Sequence, residues 1–314
     1  MTQVMVIGES LVDILCSPGQ PDTPVPGGSA ANSAVALARL GHHVELVTDI
    51  GTDQHGRLLL DHLAESGVSL AEGSVREGRS SSALARLDQA GVASYTFDMS
   101  WAPPAVRVDP AVQVVHVSSV AAVQPWATGS VLPTLRLARE VGAVVTFDPN
   151  IRPALVSDPL DVWRAVEQAV CCCDLVKLSD EDAEWLAGVA GLDVDVMVDQ
   201  WSRNDRLVVM TRGASSTVAM MAGESVVVQV PPAQVVDTVG AGDSFIAGVI
   251  DEFLALMPHD DGGPLWRGRP VARLLGRGAQ IAAVTVSRAG ANPPWRQEVG
   301  GRVLPASPHP PRGD

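Results

Sequence analysis

The chain has 314 residues, of which 46% are apolar and 18% are charged, and its formal net charge is −14 at pH 7. This length and apolar content favour a globular protein with a large core. The acidic balance argues against nucleic acid or an anionic membrane surface as a partner, because the field of the whole molecule repels polyanions.

Short apolar runs alternate with segments of helical period along most of the chain. The predicted strands are residues 4–7, 44–48, 114–117, 143–147, 175–178 and 207–211. The predicted helices are residues 30–40, 55–66, 126–141, 159–170, 181–188 and 195–202. Such alternation is typical of a mostly parallel sheet with helices on both faces, so we predict a doubly wound α/β fold.

One stretch breaks the alternation and predicts a small β-sheet. Segments 81–87 and 92–97 are rich in Ser, Val and Tyr and flank Asp88-Gln89-Ala90-Gly91, which predicts a hairpin turn. Paired with the Pro- and Gly-rich segment 15–26, this hairpin could form a sheet that projects from the main body as a lid. We therefore predict a single domain over residues 1–314, with the lid at about 14–27 and 74–101 and a flexible tail at 300–314. The edges of an exposed lid sheet also predict a homodimer.

The cysteines and the apolar runs bear on the cellular compartment. Cys16 stands apart, whereas Cys171, Cys172 and Cys173 are consecutive, so they cannot build a disulfide framework. No run of about 18 apolar residues predicts a membrane span, and residues 1–8 lack the pattern of a secretory signal. We expect a cytoplasmic protein that contacts no membrane.

The most informative segment is Asp237-Thr238-Val239-Gly240-Ala241-Gly242-Asp243, which leads into an apolar helical run. Its glycines allow a tight turn whose N–H groups converge at the positive end of the following helix, and this arrangement binds anions. Asp243 in the first helical turn could accept a proton from a hydroxyl group that attacks a phosphorus atom held there. The alternative is that Asp243 caps the helix and the glycines only turn the chain.

A second Gly-rich segment, Pro26-Gly27-Gly28-Ser29-Ala30-Ala31-Asn32, also leads into a helix. Gly27 and Gly28 allow a ligand to approach the backbone closely, and the Asn32 amide can both donate and accept hydrogen bonds toward sugar hydroxyls. The alternative role of Asn32 is to bond the start of the helix.

Two familiar phosphate-binding motifs are absent from the sequence. The only lysine is Lys177, and because no glycine precedes it a Walker P-loop is excluded. Strand 4–7 leads into Gly8-Glu9-Ser10 rather than Gly-x-Gly-x-x-Gly, which argues against a dinucleotide-binding fold.

The sequence resembles the ribokinase family of carbohydrate kinases, also called PfkB-type, over nearly its whole length. Gly27-Gly28 with Asn32, Gly41 and Gly51 is similar to the first family signature, and segment 237–248 is similar to the second. The resemblance implies a ribokinase-like fold, a β lid over a small sugar, ATP as phosphoryl donor and Mg²⁺ as helper.

Segments 148–153, 177–181 and 289–294 look most like bacterial fructokinases. Fructose is therefore the expected acceptor, and 2-keto-3-deoxygluconate and ribose are the alternatives. An alternative of another class is a sugar-binding regulator without catalytic activity, because Ser179 and Asp182 stand where the family has Asn and Glu.

The resemblance also implies roles for single residues. The expected base is Asp243, and the expected anion hole is formed by the N–H groups of Gly240, Ala241 and Gly242. The residues expected to bind the sugar are Asp13, Gly27, Gly28, Asn32 and Arg152. The residues expected to bind ATP are Lys177, Ser179, Thr211, Gly213, Gly240 and Gly242.

Two cation sites follow from the same resemblance. Asp182 and Glu181 are expected to contact Mg²⁺ through water, although a helix cap at Ser179 is an equally good local interpretation. A monovalent cation such as K⁺ is expected at Asp237, Val239, Thr285, Arg288 and Gly290.

Overall fold

The computed structural model describes residues 3–16, 22–87, 93–99, 102–119, 124–256, 265–266 and 270–300. The chain divides into two compact units, Met1–Cys173 and Asp174–Asp314. The predicted turn at residues 88–91 and the predicted tail after residue 300 lie outside the described residues. The single domain over the whole chain stays a prediction.

The first unit alternates strands and helices as its sequence pattern predicts. Its strands are β1 Val4–Ile7, β2 Leu11–Cys16, β3 Thr23–Gly27, β4 Val44–Val47, β5 Ile50–Gly51, β6 Ser69–Leu70, β7 Val75–Arg76, β8 Ser81–Leu87, β9 Ala93–Asp98, β10 Val114–Ser118 and β11 Val144–Asp148. Its helices are α1 Ser29–Arg39, α2 Gln54–Glu65, α3 Pro125–Glu140 and α4 Pro159–Val170.

The main sheet of the first unit is parallel, in the order β11-β10-β1-β4-β6. Every side chain of β1, β10 and β11 is buried, which explains why these strands are nearly continuous valine-rich runs. Asp53 and Asp158 cap α2 and α4 through their carboxylates. The predicted strands and helices of this unit agree with the observed ones to within one residue at each end.

A separate small sheet has the order β3-β2-β8-β9. β2 pairs antiparallel with β3 and parallel with β8, and β8 pairs antiparallel with β9. The predicted pairing of the hairpin with the Pro- and Gly-rich segment is therefore confirmed. β2 begins at Leu11, four residues before the predicted segment, so Asp13 lies within this sheet rather than in a loop.

The second unit contains β12 Leu175–Ser179, β13 Leu207–Arg212, β14 Ser216–Met221 and β15 Glu224–Gln229, with α5 Asp180–Ala190, α6 Val194–Trp201, α7 Ala241–Ala255 and α8 Val271–Val286. β12 and β13 are parallel, whereas β14 and β15 continue the sheet as antiparallel strands. The predicted α/β class with a small extra sheet is confirmed. In the part of the chain that is described, no helix is long and apolar enough to cross a membrane.

Helices α7 and α8 pack closely because both carry glycine at their contact. A Cβ added at Gly248 would lie 2.8 Å from the Cα of Gly278, and a Cβ added at Gly278 would lie 2.8 Å from the carbonyl oxygen of Phe245. Beside this contact the buried Arg277 on α8 donates to the carboxylate of Asp251 on α7 at 2.9 Å. The position of α7 is therefore fixed by backbone packing together with a buried ion pair.

Candidate active site

The turn before α7 has the conformation that its glycines permit. Gly240 is in the left-handed region with φ 75° and precedes the first residue of the helix without a side-chain cap. The N–H of Ala241 donates to the carbonyl of Thr238 at 3.2 Å, so this predicted anion-hole donor is already used within the turn. The N–H groups of Gly240 and Gly242 have no acceptor among the described residues, which leaves them for a ligand.

Asp243 is the third residue of α7 and its side chain is 7% exposed. The helix is preceded by Gly240, so Asp243 does not occupy the capping position that the alternative interpretation assumed. Its carboxylate therefore lies in the first turn, at the positive end of the helix.

Lys177 brings a positive charge to the same helix start. This residue is on β12 and is 4% exposed, and a Cβ added at Gly242 would lie 2.7 Å from its Nζ atom. A buried ammonium group beside the positive end of a helix adds to the positive potential there, and this potential attracts anions. The sequence identifies Lys177 as the only lysine, but it gives no sign of this contact with Gly242.

Ser179 and Asp182 form a capping box at the start of α5. The Asp182 N–H donates to Ser179 Oγ at 3.0 Å, and Asp182 Oδ2 accepts from the Ser179 N–H at 2.9 Å and from its hydroxyl at 2.6 Å. The helix-cap interpretation therefore describes what these two side chains do. Glu181, one residue away, is exposed. Within the described residues no group of three or more His, Cys, Asp or Glu is suited to hold a metal ion.

The strand next to β12 carries the other predicted ATP-binding residues. Thr211 Oγ1 donates to the carbonyl of Leu178 at 3.2 Å, which joins the carboxyl ends of β13 and β12. Gly213 follows with φ 51°, a conformation that glycine adopts without strain. Thr211 and Gly213 therefore lie at the same sheet edge as Ser179.

Asp237 joins the segment before α7 to the segment after α8. Its carboxylate accepts from the N–H of Val239 at 3.0 Å and from the N–H of Gly290 at 2.9 Å. Thr285 is buried and its carbonyl accepts from the N–H of Arg288 at 3.1 Å. Of the residues predicted for a monovalent cation, Val239 and Gly290 thus bond to Asp237, whereas Arg288 bonds to Thr285 in the last turn of α8.

On the first unit, Asp13 faces the junction between the small sheet and α1. Its carboxylate lies against Gly27, so any side chain at that position would overlap it. Burial raises the pKa of Asp13 to about 6, and the positive charge of Arg152 opposes part of this rise. Arg152 itself is exposed, and its guanidinium donates to the carbonyl of Ile151 at 3.1 Å.

Gly28 and Asn32 are held at the same junction. Gly28 has φ 101°, and a Cβ there would lie 2.6 Å from the carbonyl oxygen of Glu9. The Asn32 N–H donates to the Gly28 carbonyl at 2.9 Å within the helix start, and the residue is buried. The Glu9 carboxylate accepts from the Ser29 N–H at 3.0 Å and so caps α1 from 20 residues away. Sequence reasoning noted Glu9 only as a neighbour of Gly8, because a cap from a distant segment leaves no local pattern.

A family model, curated relatives and solved structures match this chain. The model of the pfkB family of carbohydrate kinases matches residues 1–298. A curated fructokinase of Klebsiella pneumoniae is 31% identical over 259 residues, which cover 79% of this chain and 83% of that protein. The crystal structure of fructokinase with bound ATP from Xylella fastidiosa has a TM-score of 0.80 and 27% identity, over 93% of this chain and 94% of that chain.

A second similar structure is described with a sugar and an ion bound. A double mutant of the fructokinase from Vibrio cholerae O395, in fructose, ADP and potassium ion bound form, has a TM-score of 0.75 and 25% identity. The match covers 93% of this chain and 94% of the Vibrio cholerae chain. The likeness to both solved structures thus extends over nearly all of the chain.

Proposed function

The chain belongs to the pfkB family of carbohydrate kinases, and we propose that it transfers the terminal phosphoryl group of ATP to a hydroxyl group of fructose. Support for fructose comes from the relatives named fructokinase and from the structure described with fructose and ADP bound. Support for ATP comes from the related structure described with bound ATP. 2-Keto-3-deoxygluconate and ribose remain the alternative acceptors.

The observation that carries the proposal is the concentration of positive potential at the start of α7. The N–H groups of Gly240 and Gly242 and the Lys177 ammonium group would hold the phosphate chain of ATP. Thr211 and Gly213 at the neighbouring sheet edge would contact the same phosphates. Charge that develops on the transferring phosphoryl group is stabilised by donors that are already in place, which is the main demand of this reaction.

Asp243 is proposed as the general base. The attacking sugar hydroxyl loses its proton to the Asp243 carboxylate as its oxygen forms a bond to phosphorus, and the bond from phosphorus to the bridging oxygen of ADP breaks.

The sugar-binding group is proposed to be the junction on the first unit. The Asp13 carboxylate can accept two hydroxyl protons, and the Asn32 amide can both donate and accept. Gly27 and Gly28 allow the backbone to lie against Asp13 and Glu9, because a side chain at Gly27 would overlap the first and one at Gly28 would overlap the second. Arg152 is exposed nearby and would contact the sugar or its phosphorylated product.

We propose that the predicted Mg²⁺ is bound by the phosphates of ATP. Because Oδ2 of Asp182 accepts two hydrogen bonds from Ser179, that oxygen is not arranged as a direct ligand. Glu181 and Asp182 therefore remain candidates for contact through water. When Mg²⁺ is bound to ATP it neutralises phosphate charge.

A monovalent cation such as K⁺ suits the Asp237 loops. The Asp237 carboxylate and the backbone carbonyls of Val239, Thr285, Arg288 and Gly290 are the oxygen donors that a hard cation prefers. Support comes from the related structure described with a potassium ion. A bound cation there would stabilise the turn that carries Gly240, because Asp237 bonds both loops.

A homodimer through the small sheet is also proposed, because β3 and β9 are its edges. Sedimentation at several protein concentrations tests this: a monomer throughout would contradict it. The cytoplasmic location stays a prediction.

The test of the proposed function is ADP release with fructose, ribose, 2-keto-3-deoxygluconate and adenosine as acceptors. We expect fructose to give the highest kcat/KM, and Asp243→Asn to reduce turnover by at least about a hundredfold. Asp161→Asn is the matched control, because Asp161 is the third residue of α4 but lies on an exposed surface. Near-normal turnover of Asp243→Asn would overturn the assignment, and thermal stabilisation by one sugar without ADP release would favour the sugar-binding regulator.

A further inference from the structure

Residues 48–53, between β4 and α2, contact the chain at several of the points where it enters or leaves the small sheet. We call this segment the lid seat. Thr48 Oγ1 donates to Ser10 Oγ at 3.0 Å, directly before β2. Asp53 Oδ1 accepts from the Ser80 hydroxyl at 2.8 Å, directly before β8. The same carboxylate also caps α2 by accepting from the Gly56 N–H at 2.8 Å.

Asp49 holds both ends of the hairpin formed by β8 and β9. Its Oδ2 accepts from the N–H of Ala102, beyond the end of β9, at 2.7 Å. Its Oδ1 lies 2.5 Å from Nε of Arg76, before the start of β8. The remaining nitrogens of Arg76 donate to the carbonyls of Glu77 at 3.2 Å and Arg79 at 3.3 Å. One carboxylate therefore fixes the entry turn and the exit of the hairpin together.

The contacts at the lid seat are polar, and they are wholly or partly buried. Asp49 is 2% exposed, and Thr48, Ser10 and Ser80 are also buried. Gly51 leaves no space at the centre, since a Cβ there would lie 2.6 Å from the Ser80 nitrogen. Hydrogen bonds are directional and can be lengthened by a small rotation, whereas interlocked side chains resist it. This composition suits a pivot better than a rigid interface.

We infer that the lid seat is the pivot of the small sheet and that Asp49 is a positioning residue that sets the angle of the hairpin over the sugar. The inference rests on the proposed function, in which the sugar is bound at Asp13 on β2 of this sheet. Asp49 acts through β8, which pairs with β2 so that Ala83 is opposite Asp13. A correctly angled lid would hold the sugar and would also keep water from accepting the phosphoryl group in its place.

The test uses Asp49→Asn and Arg76→Gln in the full chain. Asn can still accept from Ala102 but lacks the charge that holds Arg76, and Arg76→Gln removes the same ion pair from the partly exposed side. For both variants we expect KM for fructose to rise about tenfold, about 1.4 kcal/mol, with KM for ATP within about twofold. We also expect more ADP and inorganic phosphate formed from ATP and water per molecule of sugar phosphorylated.

Hydrogen exchange gives a readout that does not depend on activity. Amides of β8 and β9 should exchange faster in both variants, whereas those of β10 and β11 should match wild type. Asp109→Asn is the control, because Asp109 accepts the Ala111 N–H at 2.8 Å in an exposed turn. Wild-type KM, hydrolysis and exchange in folded Arg76→Gln would overturn the inference, as would equal rises in both KM values. If wild type fails to phosphorylate fructose, the proposed function fails while the exchange result still judges the pivot.

Discussion

Replacing Gly242 by Ala should separate the stability of this protein from its activity. Gly242 is the second residue of α7, and its φ lies outside the range that only glycine favours. The new Cβ would lie 2.7 Å from Nζ of Lys177 and 3.8 Å from Cε. Because Nζ is the far end of a flexible side chain, it can move away without disturbing the backbone.

The size of the effect follows from that displacement. Nζ must retreat to a contact distance of about 3.5 Å, a movement of about 0.8 Å. If the ammonium then lies about 3.8 Å rather than about 3 Å from a phosphate oxygen, the attraction falls by about 1.2 kcal/mol per unit charge at an effective dielectric of about 20. This corresponds to about sevenfold in kcat/KM. Stability should be unchanged or higher by up to about 1 kcal/mol, because alanine is the better helix former.

The assay compares kcat/KM for ATP with the midpoint of thermal unfolding. Gly188→Ala is the matched control, since Gly188 lies on α5 and a Cβ there meets nothing within 4 Å. We expect the control to gain the same helical stabilisation without loss of activity. Gly242→Ala with wild-type kcat/KM would refute the assignment of this helix start to the phosphates.

Three further predictions concern the neighbouring charges and the helix cap. The pKa of Asp13 is raised to about 6, mainly by burial and against the effect of Arg152, so KM for fructose should rise as pH falls through about 6. The folded state binds this proton more tightly than the unfolded chain does, so ionisation of Asp13 above about pH 6 lowers the free energy of unfolding. Asp13→Asn should therefore raise the midpoint of thermal unfolding at neutral pH but not near pH 4, and equal effects at both pH values would contradict this. Lys177→Met should lower kcat/KM for ATP at least about tenfold with little change in binding of fructose measured calorimetrically, and wild-type kinetics would count against a phosphate contact. Ser179→Ala should lower the free energy of unfolding by about 1 kcal/mol through loss of its bonds with Asp182, and a shifted Mg²⁺ dependence of turnover would show more than a helix cap.

The parallel part of the fold could be predicted because its strands are short and almost wholly apolar. Runs such as Val4–Ile7 and Val114–Ser118 are buried along their whole length. β14 and β15 escaped prediction. Ser216–Met221 alternates buried and half-exposed residues, and Glu224–Gln229 has no buried residue, so neither has the strong apolar run of an interior strand.

The residues of the candidate site could be predicted where they belong to one local motif. They could not be predicted where their role depends on contacts between distant segments. Gly240 and Asp243 are recognisable because turn and helix start are contiguous. The capping role of Glu9 and the placement of Lys177 beside Gly242 join residues 20 and 65 positions apart, and no periodicity encodes such contacts. Ser179 stands where the family has Asn, and its sequence context predicts a metal contact and a helix cap equally. The structure shows the helix cap.

The glycine contact between α7 and α8 has a consequence for how substitutions spread through the second unit. Because Gly248 and Gly278 bring the two backbones together, a single methyl group at either residue would wedge the helices apart. The same two helices carry Asp251 and Arg277, so the wedge would also stretch a buried ion pair. A methyl group at Gly248, about two turns from Gly240, would therefore tilt the whole of α7 and displace Asp243 before it unfolded the chain.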